Sequence, residues 1–168
     1  MPHSTDGSNI KIPKTKSERI CDGIGYLFYI GSIIFLIAVW GTLPEQVPVH
    51  YNALGDIDRW GSKWELLILP GIGFFILLFM QLLEKFPEMY NYPKRLNEKN
   101  AGQFYLLSQK LVNRIKNACF IIFSLILFES ASIALRWGSG FGGWFLPVII
   151  LGIVILIAIS VIQQKKIK

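Results

Sequence analysis

The sequence predicts an all-α integral membrane protein with four transmembrane helices, both ends inside, and a structured outer loop between helices 1 and 2. Three observations predict it. Of 168 residues, 52% are hydrophobic and only 17% are charged, where soluble domains carry about a quarter charged. Mean hydropathy is +0.46. Four apolar runs, about 23–43, 66–83, 117–136 and 143–163, approach or reach the roughly 20 residues that cross a bilayer as a helix. Basic residues also segregate. Fourteen Lys and Arg lie in the N-terminal arm, the middle segment and the C-terminus, against Arg59, Lys63 and Arg136 on the other side. The positive-inside rule then places both termini and the middle segment in the cytoplasm. The net charge of +6 follows from topology and asks for no nucleic acid, though the inner face should attract anionic lipid. All five tryptophans, Trp40, Trp60, Trp64, Trp137 and Trp144, fall near the outer boundary, where indole rings concentrate.

Residues 1–22 are rich in Ser, Thr, Gly, Pro and Lys and read as a disordered cytoplasmic arm. Residues 23–164 form the membrane domain. Its first span lacks a small-residue cleavage site and reads as a retained helix rather than a signal peptide. Cys21 and Cys119 lie near the inner boundary, where a reducing compartment favours free thiols.

The outer loop, 44–65, is polar and ordered by its own composition. Pro44 and Pro48 hold the chain extended. His50 and Asn52, two apart, face one way on an extended segment. Gly55 suits a turn with positive φ, and Asp56 and Asp58 follow it. Ser62 with Glu65 forms a capping box for the second helix. Pro70 in that helix predicts a kink, and Gly71 and Gly73 predict close helix contact. The cytoplasmic segment 86–116 begins with a proline-punctuated turn. Phe104, Leu107, Leu111 and Ile115 then recur at helical spacing, with Asn97 and Asn100 as caps and the basic residues as a solvated face. The helix should run on into span three. "RWGSGFGGW" is a tight outer turn that makes spans three and four antiparallel neighbours. A basic tail, 165–168, closes the chain.

Two features carry the chemistry. The loop cluster of His50, Asn52, Asp56 and Asp58 has three readings: a self-satisfying loop, a ligand or metal site, or acid–base work by His50 with Asp58. Glu129 lies about 18 Å along the third helix from Asn117, in its outer half. A carboxylate there must be paired, protonated or facing water, which makes it a functional candidate. Ser132 and Arg136 share its helical face, so a snorkelling pair with Arg136 is the structural alternative. Glu129 is expected to point at the loop above it.

"LPEQVPVHYNALGDIDRWGSK" resembles the signature of bacterial membrane proteins catalogued as domain of unknown function 1648. There a helix ends in Leu-Pro, followed by Ile/Val-Pro-x-His-aromatic-Asn, then Gly, Asp and a Gly-Ser-Lys-like end. Pro44, Pro48, His50, Asn52, Gly55, Asp58 and Lys63 carry the match, and "YNYPKRLNEKNAGQFYLLSQKLV" extends it, so that it covers roughly Gly25 to Arg136. The resemblance implies kinship with SdpI-like immunity proteins, which protect a bacterium from a secreted membrane-active toxin and signal to a repressor. It supplies no catalytic residue. The expectation is a non-enzymatic protein of the bacterial cytoplasmic membrane, with no cofactor and no metal, that senses or neutralises a membrane-active peptide. Its partners would be the lipid bilayer and such a peptide or a membrane protein, with homo-oligomerisation open. The recognition candidates are His50, Asn52, Asp56, Asp58, Lys63 and Glu129; Pro44, Pro48, Gly55 and Gly61 shape the motif. Two alternatives stand beside it: a small transporter or accessory subunit that oligomerises, motivated by Glu129 and the kink at Pro70, and a metal-dependent membrane enzyme.

Overall fold

The computed structural model describes residues 12–168; the first half of the expected arm, residues 1–11, lies outside the described residues. Helix α1 (Lys16–Val39) starts within the stretch expected as arm. Thr15 caps it. The Thr15 N–H and hydroxyl both donate to Glu18 Oε2, at 2.8 and 2.6 Å, which closes a capping box and moves the helix start inward from residue 23. After α1 the chain forms an antiparallel hairpin, β1 (Gln46–Tyr51) and β2 (Ile57–Ser62). A 3₁₀ turn (Lys63–Leu67) leads into α2 (Ile68–Lys85). A second 3₁₀ turn (Pro87–Met89) precedes α3 (Ala101–Ala134), and α4 (Phe145–Lys165) ends the fold.

Four helices are long and apolar enough to cross a membrane. The outer loop is more regular than an all-α class implies, because it holds a two-stranded sheet. Residues near both described ends meet at one end of the bundle: Lys14 pairs with Glu84, and Asn100 Nδ2 donates to the Lys168 carbonyl. We call this end inner and the hairpin end outer, following the charge asymmetry.

Helix α3 is the hub, packed by α1, α2, α4 and β1. At 34 residues it is about 51 Å long, well beyond the roughly 30 Å of hydrocarbon, and it runs unbroken from the inner segment through span three. The outer core joins Leu36, Val39 and Leu43 to Val47 of β1, Leu66, Leu127 and Ala131. Lower down, Tyr29 stacks on the buried Phe120 with ring centroids 4.9 Å apart and donates its hydroxyl to the Pro70 carbonyl at 2.7 Å. Gly73 admits the Tyr29 ring, since a β-carbon there would come within 2.6 Å of it; Gly71 faces open space.

Pro70 lies beside a change of helix geometry. It sits in the first turn of α2, directly after the 3₁₀ turn, where the missing N–H of a proline is tolerated best. The candidate span Lys63–Lys85 therefore runs as a 3₁₀ turn and then an α-helix, with the change just before Pro70. The basic face of α3 also differs from expectation. Lys116 is fully buried, and the buried side of the inner half is polar: Ser108, Gln109, Asn113, Lys116 and Asn117. Leu107, Leu111 and Ile115 are only half-buried.

Candidate functional site

The hairpin is built by side-chain contacts that the residue types anticipate. Asn52 Oδ1 accepts from the N–H groups of Leu54 and Asp56, at 2.9 and 3.0 Å, and its Nδ2 lies 3.3 Å from Asp56 Oδ2. This is an Asx-type turn that satisfies its own backbone. Gly55 takes φ +82°, and a β-carbon on it would lie 2.5 Å from the Gly142 carbonyl carbon. The hairpin tip therefore rests backbone to backbone on the turn between α3 and α4. Gly61 leaves room for Glu65, whose Oε1 accepts from the Ser62 N–H at 3.1 Å to complete the capping box. Lys63 closes the hairpin base through Glu45 at 2.9 Å and stands 5.6 Å over the Trp40 ring. Pro48 is fully buried, and Pro44 lies beside Arg136 at the outer surface.

His50 and Asp58 touch: Nδ1 lies 2.5 Å from Asp58 Oδ1. Both are exposed on the hairpin surface, so the pair orients the imidazole while leaving it accessible. The ladder slips on either side of His50, and such irregularities re-aim side chains. Tyr51 shares a 3.0 Å hydrogen bond with Ser130 on α3. Burial raises its phenol to about 12 against the smaller opposing effect of Ser130, and nearby Glu129 pushes the same way.

Glu129 is 6% exposed and accepts from the Phe141 N–H at 2.5 Å. It thus holds the outer turn, where Gly140 (φ +92°) keeps a β-carbon out of its way. Among the described residues no ion pair joins it to Arg136, which instead adopts φ +60° at the C-terminal end of α3. There Trp137 N–H bonds back to the Ser132 carbonyl at 2.8 Å, a Schellman-type end with arginine where glycine is usual.

His50, Asn52 and Glu129 line one cleft of about 310 Å³ between the hairpin, α3 and α4, together with Tyr51 and Gly55. Its floor is apolar: Ile122, Ile126, Phe145, Leu146 and Ile149. Asp56, Asp58 and Lys63 lie outside its lining and act through the hairpin. Among the described residues no three His, Cys, Asp or Glu side chains converge as a metal site.

A second polar centre, at the inner end, escaped the sequence reading. Lys116 Nζ lies 2.8 Å from both Asp22 Oδ1 and Glu84 Oε1, and Lys14 Nζ lies 2.6 and 2.5 Å from their other oxygens. Asn113 and Asn117 donate to Asp22 at 2.8 and 2.9 Å. Gly25 lets α1 approach, because a β-carbon there would overlap the Asn117 amide. The available signal was the polar spacing of Gln109, Asn113, Lys116 and Asn117 along one helical face.

Residues 27–74 match the family model described as Domain of unknown function (DUF1648). The similarity to that domain is confined to this segment. It spans the second half of α1, the whole hairpin and the start of α2, so it contains His50, Asn52, Asp56, Asp58 and Lys63 but none of Asp22, Glu84, Lys116 and Glu129. The resemblance read from the loop is to the same family, over a shorter stretch than residues 25–136. An uncharacterized protein of Archaeoglobus fulgidus is 35% identical over 68 residues, which cover 36% of this chain and 37% of that protein. The chain therefore spans little more than a third of that relative's length. No solved structure matches the chain.

Proposed function

We propose that this membrane protein is non-enzymatic and recognises a membrane-active peptide at the outer cleft, as a sensor of that peptide or as protection against it. One observation supports the reading most: a polar rim of His50, Tyr51, Asn52 and Glu129 stands over an apolar floor supplied by α3 and α4. An amphipathic peptide has the complementary make-up, with apolar side chains for the floor and hydrogen-bonding or cationic groups for the rim. The exposed His50–Asp58 pair adds an oriented imidazole beside that rim. The polar groups are engaged in holding the loop, which suits recognition by a preorganised surface.

The test is growth of a deletion strain against a panel of membrane-active peptides, complemented with wild type or His50→Ala and with membrane levels checked by blot. Wild type restores protection and His50→Ala, present at equal level, does not. A deletion strain no more sensitive than its parent removes the protective role. Protection unchanged by His50→Ala removes the imidazole from it.

A further inference from the structure

At the inner end, two ammonium groups neutralise two carboxylates, and the two ammoniums are held very differently. Lys116 belongs to α3, is fully buried, and packs 5.5 Å from the centre of the Tyr26 ring. Lys14 precedes α1, in backbone that belongs to no helix or strand. Its side chain remains 32% exposed. Burial works against its charge, yet Asp22 and Glu84 hold it above the ordinary lysine range.

Lys14 and Glu84 line a cleft of about 540 Å³, with Ile12, Gln81, Lys85, Phe86, Pro87 and Gln109 around it; among the described residues Lys85 makes no ion pair with Asp22 or Glu84. Gln109 is 3% exposed, and its Oε1 has no hydrogen-bond partner among the described residues. Two acceptors line the cleft, Glu84 and Gln109 Oε1, and Lys14 in its wall reaches Glu84 Oε2 and, behind the lining, Asp22 Oδ2. The Lys14 Nζ lies 2.5 Å from Glu84 Oε2 and 2.6 Å from Asp22 Oδ2. A primary ammonium carries three N–H donors. Removing Lys14 would leave Lys116 as the one cation paired with the two carboxylates among the described residues, a local excess of negative charge that favours a cation.

We propose that this inner cleft binds a primary ammonium group, and that Lys14 is its built-in occupant, displaced when a ligand ammonium enters between Asp22 and Glu84 and donates also to Gln109. The ammonium can come from a soluble alkylamine or from a phosphatidylethanolamine headgroup. The proposal is independent of the outer cleft.

The test uses the full chain in phosphatidylcholine nanodiscs, whose quaternary headgroup has no N–H. Thermal unfolding of wild type and Lys14→Ala is followed against ethylamine, against tetramethylammonium, and after adding phosphatidylethanolamine to the discs. A tethered group competes at an effective concentration in the millimolar range. Lys14→Ala should therefore be stabilised at about tenfold lower ethylamine than wild type, and not by tetramethylammonium. Stabilisation by phosphatidylethanolamine instead assigns the site to lipid. The proposal fails if neither source stabilises the variant, if tetramethylammonium does as well, or if wild type and variant respond alike. Should Lys14→Ala not fold, hydrogen exchange in wild type decides: the saturating amine must speed exchange of the amides around Lys14, and unchanged exchange overturns the proposal.

Discussion

The two ends of α3 solve the same problem in opposite ways. At the outer end, polar side chains mostly satisfy backbone: Asn52 the hairpin turn, Glu65 the helix start, Glu129 the Phe141 N–H. Their charges remain near water or take a single donor. At the inner end, charges satisfy one another: Asp22, Glu84, Lys14 and Lys116 close a buried network helped by two asparagines. The first arrangement fixes the shape of a loop. The second joins three helices and the segment before α1, and it tolerates no unpaired loss.

Breaking the inner end should therefore cost most. Lys116→Met leaves Lys14 as the one cation paired with Asp22 and Glu84 among the described residues. It should destabilise the protein by about 3–5 kcal/mol in detergent unfolding, the usual cost of stripping one partner from a buried ionic group. Adding Glu84→Gln should recover part of that loss. Failure to recover any would mean that packing, not charge, holds the junction.

Breaking the outer end should be milder and local. Gly55→Ala forces a side chain into a positive-φ position against Gly142, at a cost of about 1–3 kcal/mol. Hydrogen exchange should rise across Gln46–Ser62 and stay unchanged along the inner half of α3. A rise at both ends would show that the two centres are coupled.

Alkaline titration sharpens the contrast further. The Tyr51 phenol is held up to about 12, chiefly by burial. A group whose folded pKa is raised stabilises the fold below its unfolded value, near pH 10, and that contribution is lost as pH rises through about 12. Hairpin docking should weaken over that window. In Tyr51→Phe the weakening should shrink, and phenolate absorbance should lose one late-titrating component. The smallest effect is expected of Lys63→Ala. Its partner Glu45 is exposed, so the change should stay under about 1 kcal/mol.

The outer end was legible because its chemistry is local. Asn52 to Asp56, His50 to Asp58 and Ser62 to Glu65 are all within eight residues, and turn, strand and cap rules operate over that range. The four spans were legible from hydropathy alone, although α1 begins seven residues before the expected 23 because the Thr15 cap extends it. The inner network was not legible. Asn117 and Asp22 are 95 positions apart, and Asp22, Glu84 and Lys116 each stand at a span boundary where a charge is ordinary. Only the topology brings those boundaries to one level. Pro70 is a related case: a proline reads as a kink or as a start according to where the α-helix begins, and the 3₁₀ turn before it sets that point.

The floor of the outer cleft has a consequence for any measurement of its occupancy. Ile122, Ile126, Leu146 and Ile149 belong to membrane-length helices, so a ligand that fits them is also one that dissolves in lipid. Its concentration beside His50 is then set by its partition into the leaflet, not by its concentration in solution. An affinity measured against total ligand contains that partition coefficient as a factor. Two peptides of equal apparent potency can differ widely in how well the cleft distinguishes them, and varying the ratio of lipid to protein separates the two quantities.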